Sequence, residues 1–306
     1  MKLFPRDLQG TGLAIGLTIL SVMIFGVQDA CAKILVQTWS PFQITMMRYW
    51  AFGLFALLMV TRRAPLREAF RSRMPVTQTL RGLLLTLDIW VFALAIRTVP
   101  LAELQSIISL YPLVVTLMAI PLLGERVGPW RLGAVALGFV GVLVILRPGG
   151  LPLTTDVIFA LCAVAAYSSY IVLTRRVAQV DSTATSMVYV GVVGMVLTTA
   201  VGVWFWLPMD WSGLVLVAIV MATTVAAHTL MMAALKLAPA STVQPFNYLA
   251  LPWAMVLSIV VFGHFIDWVS LAGAVVIVGS GLIVWARERH RNVAISRAEA
   301  NPPGKE

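Results

Sequence analysis

The strongest constraint in this chain is a series of ten apolar runs, each near twenty residues, with short polar breaks between them. A helix that crosses the hydrocarbon layer of a bilayer needs about 20 mostly apolar residues. By that measure, spans lie near 13–35, 42–61, 76–96, 101–123, 129–147, 155–174, 184–207, 212–235, 240–263 and 268–286. Inside hydrocarbon each backbone donor and acceptor must be paired within its own segment, so such runs fold as helices. The breaks hold residues that end helices: Arg62-Arg63-Ala64-Pro65, Gly128-Pro129, Arg147-Pro148-Gly149-Gly150 and Leu207-Pro208. Of the 306 residues, 60% are hydrophobic and 11% charged. A soluble domain is about one quarter charged, so lipid is the expected solvent. The connections leave no room for a soluble domain. Lys2 and Arg6 precede an apolar run from Leu13 to about Val36. That run is too long for a cleaved signal core and reads as a retained first span. The tail from Arg287 is charged, ends Asn301-Pro302-Pro303-Gly304, and reads as disordered.

The net charge of +9 would suggest nucleic acid in a soluble protein. Here the bases sit between apolar runs, so they report topology instead, and no nucleic-acid partner is expected. With the N-terminus placed in the cytoplasm, the inside segments hold Lys2, Arg6, Arg62, Arg63, Arg67, Arg71, Arg73, Arg126, Arg131, Arg175, Arg176, Lys236, Arg287, Arg289, Arg291, Arg297 and Lys305. The outside segments hold only Arg97 and Arg147. The positive-inside rule then predicts both termini in the cytoplasm. Cys31 and Cys162 lie in separate apolar runs and form neither a disulfide framework nor a metal pair.

The two halves resemble each other. Ala95-Ile-Arg97-Thr-Val-Pro100 matches Ala234-Leu-Lys236-Leu-Ala-Pro239, and Leu123-Gly124-Glu125 matches Phe262-Gly263-His264. One further residue of shift aligns Gly133 with Gly273 and Gly141 with Gly281. Five spans per repeat is odd, so the second copy must enter the membrane inverted. The expected fold is all-α: ten transmembrane helices as two inverted five-helix repeats, 1–150 and 151–288, with a cytoplasmic tail at 289–306. Inverted repeats are a secondary-transporter architecture, with the substrate bound near the midplane between the halves.

The chain resembles the drug/metabolite transporter superfamily, specifically its EamA-type members, over about residues 12–288. The carrying motifs are Asp29-Ala-Cys-Ala-Lys33, Arg48, Pro112 with Leu123-Gly-Glu-Arg126, and Gln244-Pro-Phe-Asn-Tyr-Leu249 through Phe262-Gly263 to Gly281. His264 departs from the pattern, which usually has Glu after that glycine. The resemblance implies a multi-pass protein of the bacterial inner membrane that carries a small molecule through a central cavity, with no cofactor. The region Asp29–Lys33, Pro41 and Arg48-Tyr49-Trp50 is similar to bacterial riboflavin transporters, so riboflavin uptake is the leading expectation. An amino acid, S-adenosylmethionine or an exported metabolite or drug are the alternatives. A membrane-embedded enzyme would need a clustered nucleophile and base or a metal set. The three histidines, His228, His264 and His290, are not paired at metal spacing. A channel or scramblase is the other rival, and the chain has no phosphate loop for an ATP-driven pump.

Charges inside hydrocarbon are expensive and usually face a cavity or a partner. Asp29 and Lys33 share a face of span 1, four residues apart. Arg48 reaches a similar depth in span 2, so an Asp29–Arg48–Lys33 cluster is expected. Asp88 lies mid-way in span 3, and His228 near the repeat-equivalent position in span 8. Arg81, near a span end, is expected to snorkel to the interface. Spans 4 and 9 contain Pro112 and Pro121, then Pro245 and Pro252. A proline removes a backbone donor and frees a carbonyl, and broken helices at matching positions point to the site. Beside these breaks stand Gln105, Ser109 and Tyr111, then Gln244, Asn247 and Tyr248, as expected cavity-wall residues. Trp90, Tyr167 and Tyr170 could stack on a planar ring. Trp39, Trp130, Trp206, Trp211 and Trp268 fall at expected interfaces. Gly133, Gly138, Gly141, Gly273, Gly279 and Gly281 suggest close helix approach or a homodimer.

Overall fold

The computed structural model describes residues 6–62, 66–123, 129–147, 151–238 and 244–300, and these contain helices and no strand. Seven helices are long and apolar enough to cross a membrane: Gly12–Thr38, Pro41–Thr61, Pro75–Thr98, Leu101–Leu122, Thr155–Val177, Thr183–Phe205 and Trp211–Ala234. Three shorter apolar helices, Leu132–Ile145, Phe246–Phe262 and Trp268–Ile283, fill the places of spans 5, 9 and 10. The spans are numbered 1 to 10 in chain order below.

Local chemistry fixes where these helices start. Ser40 caps span 2 ahead of Pro41, Thr154 caps span 6, Ser182 caps span 7 and Asp210 caps span 8, each accepting from a first-turn N–H. Such caps satisfy backbone donors that a helix start leaves open. Asp267 does the same for span 10, accepting from Val269 N and Ser270 N at 3.0 Å each. Span 9 ends at Gly263, whose φ of 64° is a left-handed conformation that favours glycine. The last helix continues to Ala300, so residues 287–300 are helical rather than the expected disordered tail. Alanine, arginine and glutamate prolong a helix readily.

The outer surface suits lipid. Leu58 is 61% exposed, Leu143 68% and Val260 75%. In water such residues would be a liability; against acyl chains they are at home. Trp204, Trp211 and Trp268 are strongly exposed at one end of the bundle and Trp130 at the other, as an aromatic belt requires. Trp39, half-buried at the same end as Trp211, donates to Pro208 O at 3.1 Å.

Helix pairing follows a regular scheme: span 1 packs on span 8, span 3 on span 6, span 2 on span 7, span 4 on span 9 and span 5 on span 10. Spans 5 and 10 cross at Gly141 and Gly273. A β-carbon on either would lie 2.7 or 2.6 Å from the other's carbonyl oxygen, so only glycine lets the backbones meet. Gly133 and Gly279, expected to act alike, have no neighbour that a β-carbon would meet. The bundle has two ends, named here by Trp39 and by Asp181.

Candidate functional site

The centre of the bundle holds a polar cluster drawn from four spans. Arg48 of span 2 lies within electrostatic reach of Asp29 of span 1, Asp88 of span 3 and His228 of span 8. All four lie well inside their spans and are only partly buried. A pocket opens from Arg48 toward the Trp39 end, lined by Ala32, Val36, Ile44, Thr45, Ile89 and Phe92 among others. Among the described residues, neither Asp29 nor Asp88 approaches Arg48 closely enough for a direct ion pair. The three groups are neighbours without a direct ion pair.

His228 is held firmly. Its Nδ1 lies 2.8 Å from Thr224 O. A carbonyl can only accept, so Nδ1 carries the proton. Phe25 and Phe52 flank the imidazole, each with its ring centroid 5.0 Å away.

An aromatic shelf adjoins this cluster. Tyr111 meets Tyr167 edge-on at 5.1 Å, and Tyr167 stacks on Tyr170 at 5.9 Å. Tyr167 is also within electrostatic reach of Asp88, which joins the shelf to the charges. Asn247 hydrogen-bonds the Tyr111 hydroxyl, bringing span 9 to span 4. Tyr248 points toward span 10, where a β-carbon on Gly281 would collide with its hydroxyl.

The helix breaks lie beside the shelf. Span 4 is interrupted between Ile108 and Tyr111, just before Pro112. Span 9 opens with a tight turn over Gln244–Leu249 and becomes α-helical at Ala250, so Pro252 sits in a first turn where its missing N–H costs little. The side chains of Gln244 and Pro245 lie outside the described ones. Gln105 is partly buried. Ser109 turns its hydroxyl back onto Gln105 O at 2.8 Å and is spent within its own helix.

Packing revises two sequence expectations, for Lys33 and Arg81, and places Trp90 apart from Tyr167 and Tyr170. Lys33 does not join Asp29 and Arg48: its ammonium donates to Ile96 O at 2.7 Å and Val99 O at 2.8 Å. The closing carbonyls of span 3 claim it, because a helix C-terminus attracts a cation. Trp90 does not join the tyrosines. It packs edge-on to Phe42 at 5.6 Å, toward the Trp39 end. Arg81 does not snorkel. It is 3% exposed, donates to Gln78 Oε1 at 2.5 Å and to Ser186 O at 3.3 Å, and lies over the Tyr170 ring at 5.2 Å.

Sequence reasoning missed Glu103. It is 6% exposed at the start of span 4, and His264 approaches its Oε1 at 2.8 Å. Lys33 is within electrostatic reach of it. The signal was legible as an acid inside an apolar run, with a histidine standing where the second repeat usually has an acid.

The comparisons with known proteins bear on this geometry. Residues 12–147 and 154–286 match the model of the EamA-like transporter family. The chain belongs to that family. It is 21% identical to an S-adenosylmethionine uptake transporter of Rickettsia prowazekii, over 89% of this chain and 92% of that one. It is 25% identical to a riboflavin transporter of Rhizobium johnstonii, over 79% of this chain and 81% of that one. A riboflavin transporter of Vibrio cholerae is 26% identical, over 82% and 86%. A crystal structure at 19% identity superposes with a TM-score of 0.62, covering 90% of this chain and 98% of the other, which shows a shared fold. The protein is therefore a multi-pass membrane transporter of the EamA-like family.

Proposed function

We propose that this EamA-like protein is a secondary transporter that carries a small amphiphilic metabolite with a heteroaromatic ring across the bacterial inner membrane. The carrying observation is the tyrosine shelf of Tyr111, Tyr167 and Tyr170 set against the Asp29–Arg48–Asp88 cluster in the bundle centre. The shelf offers π-faces for a ring, and the charges offer partners for a polar tail. Riboflavin and S-adenosylmethionine both join a heteroaromatic ring to a polar chain. The ligands named for the relatives therefore share the chemistry this cavity could hold.

The transport cycle in this reading uses two halves of opposite orientation. Exchanging each span for the one five places along turns the contact of spans 1 and 8 into that of spans 6 and 3. It maps the pairs 2–7, 4–9 and 5–10 onto themselves. A two-fold axis in the membrane plane would produce this pairing, and rocking of the halves would open each end in turn. Arg62, Arg67, Arg71, Arg73, Arg175 and Arg176 cluster at the Asp181 end, against Arg97 and Arg147 at the other. The Asp181 end and both termini are thus assigned to the cytoplasm.

The test is uptake by proteoliposomes containing the purified chain, with labelled riboflavin, S-adenosylmethionine and aromatic amino acids, with and without a pH gradient. Saturable uptake and counterflow of a ring-bearing solute are expected, as a carrier requires. Flux that rises linearly with concentration, or uptake untouched by Asp88→Asn and Arg48→Gln, would overturn the reading.

A further inference from the structure

We infer that Lys33 is a movable bolt on the Trp39-end mouth of the Arg48 pocket, with a second seat waiting at Glu103. This rests on the transport reading above and gives one of its gates a residue. Val36 of span 1 and Ile96 of span 3 both line that pocket, and each lies in the last turn of its helix. Parting these two helix ends would widen the mouth. Lys33 joins them: its ammonium donates to Ile96 O at 2.7 Å and to Val99 O at 2.8 Å. One turn further on, Gln37 Nε2 adds a bond to Arg97 O at 2.8 Å. The residue that borders the pocket, Ile96, is thus one whose carbonyl the bolt holds.

An ammonium released inside an apolar bundle needs another acceptor, because an unanswered charge there is expensive. Glu103 offers one. It stands in the first turn of span 4, just past the end of span 3. One carboxyl oxygen, Oε1, lies 2.8 Å from His264 Nε2. The other, Oε2, is buried and, among the described residues, accepts no hydrogen bond. A buried acceptor without a donor is costly and needs a physical reason. A donor that arrives in another state of the transport cycle supplies that reason. The Phe262 ring lies 5.7 Å from the Lys33 ammonium, and an aromatic face attracts a cation in passage. Gly263 ends span 9, and His264 N bonds back to Ser258 O at 3.0 Å, which anchors the histidine that holds Glu103. With the mouth closed, the ammonium sits on the span 3 carbonyls. With it open, the ammonium moves to Glu103 Oε2 and frees the end of span 3.

The reporter is a Thr45→Cys thiol on the pocket wall, in full-length protein with Cys31 and Cys162 replaced by alanine. Its modification by a membrane-impermeant charged thiol reagent is timed from each face of sealed vesicles, and uptake is measured on the same variants. Lys33→Met should speed modification from one face at least about tenfold, the scale of two lost charge-assisted hydrogen bonds. Glu103→Gln should slow it, because the second seat loses its charge, and should lower turnover at unchanged KM. In the Lys33→Met background, Glu103→Gln should change nothing further. Lys33→Arg can still donate to both seats and should stay near the parent. If Lys33→Met fails to fold, the slowing by Glu103→Gln decides alone. An unchanged rate in Lys33→Met, faster modification in Glu103→Gln, or an equal rise from both faces, as general loosening would give, overturns the bolt. The thiol readings need no solute. A responding thiol in a protein that moves no solute would overturn the transport reading and leave the bolt standing.

Discussion

Arg48 and Arg81 look alike in the sequence, each a lone arginine within an apolar run, yet the fold uses them in opposite ways. Arg48 faces an internal space, shares two carboxylates and touches neither closely. Arg81 is buried, with Gln78, Ser186 and Tyr170 packed on its guanidinium, and its charge is answered through Gln78 by Asp181. A charge held loosely at a cavity is available to a ligand. A charge fixed by neutral dipoles is part of the frame, because moving it would strand buried donors and acceptors. The difference teaches that intramembrane charge marks importance without saying which kind.

The largest expected effect separates the two residues outright. Arg48→Gln should abolish measurable saturable uptake, since losing a desolvated charge contact costs about 2–5 kcal/mol of binding, or on the order of 30-fold and more in affinity. Its unfolding temperature should stay near that of the parent. An Arg48→Gln protein with parental uptake would break the comparison.

Arg81→Met should do the reverse. It leaves Gln78 Oε1 without its Arg81 donor, a loss of about 1–3 kcal/mol where no water enters. A lower unfolding temperature with unchanged apparent affinity is expected in a scanning thermal assay. A changed substrate preference at unchanged stability would move Arg81 into the site.

Tyr170 belongs to both regions, stacking on Tyr167 and lying under Arg81. Tyr170→Phe should be near silent, because the π-face is retained. Tyr170→Leu should weaken both uptake and thermal stability, by about 0.5–2 kcal/mol for the lost cation–π contact. Uptake and unfolding curves on the same pair of variants sharpen where the cavity ends and the frame begins.

The smallest effect concerns acid. Burial opposes ionisation of Asp181, but hydrogen bonds from Ser72 Oγ, Arg73 N and Gln78 Nε2 outweigh it and hold its carboxyl below the usual range. A carboxyl lowered in the folded state adds stability above its unfolded pKa, and that stability is lost as pH falls through the folded value. The parent should therefore lose some thermal stability below about pH 4 that Asp181→Asn never had. Identical acid profiles for the two proteins would show that the Asp181 contacts do not hold this end together.

Much of the architecture was legible in the chain. Ten apolar runs are set by length and composition, and the backbone has no option in lipid except helix. The caps Ser40, Thr154, Ser182 and Asp210 stand where local chemistry places helix starts. Asp29, Arg48, Asp88 and His228 were visible as polar groups in apolar runs, and the structure brings them together. Other partnerships were not visible. Whether Lys33 faces Asp29 or the end of span 3 depends on how spans 1 and 3 cross. Whether Trp90 joins the tyrosines depends on which side of span 3 meets span 2. Glu103 and His264 meet across 161 residues of sequence, which no local pattern records.

The sequence alone determined the solvent, the number of apolar segments and their punctuation, because these follow from the transfer energy of each residue and from backbone pairing inside its own helix. Only the tertiary structure decided which charges border the cavity and which are locked into the frame. Helix rotation and crossing set those partnerships, and they are fixed by side chains of other spans at close contact.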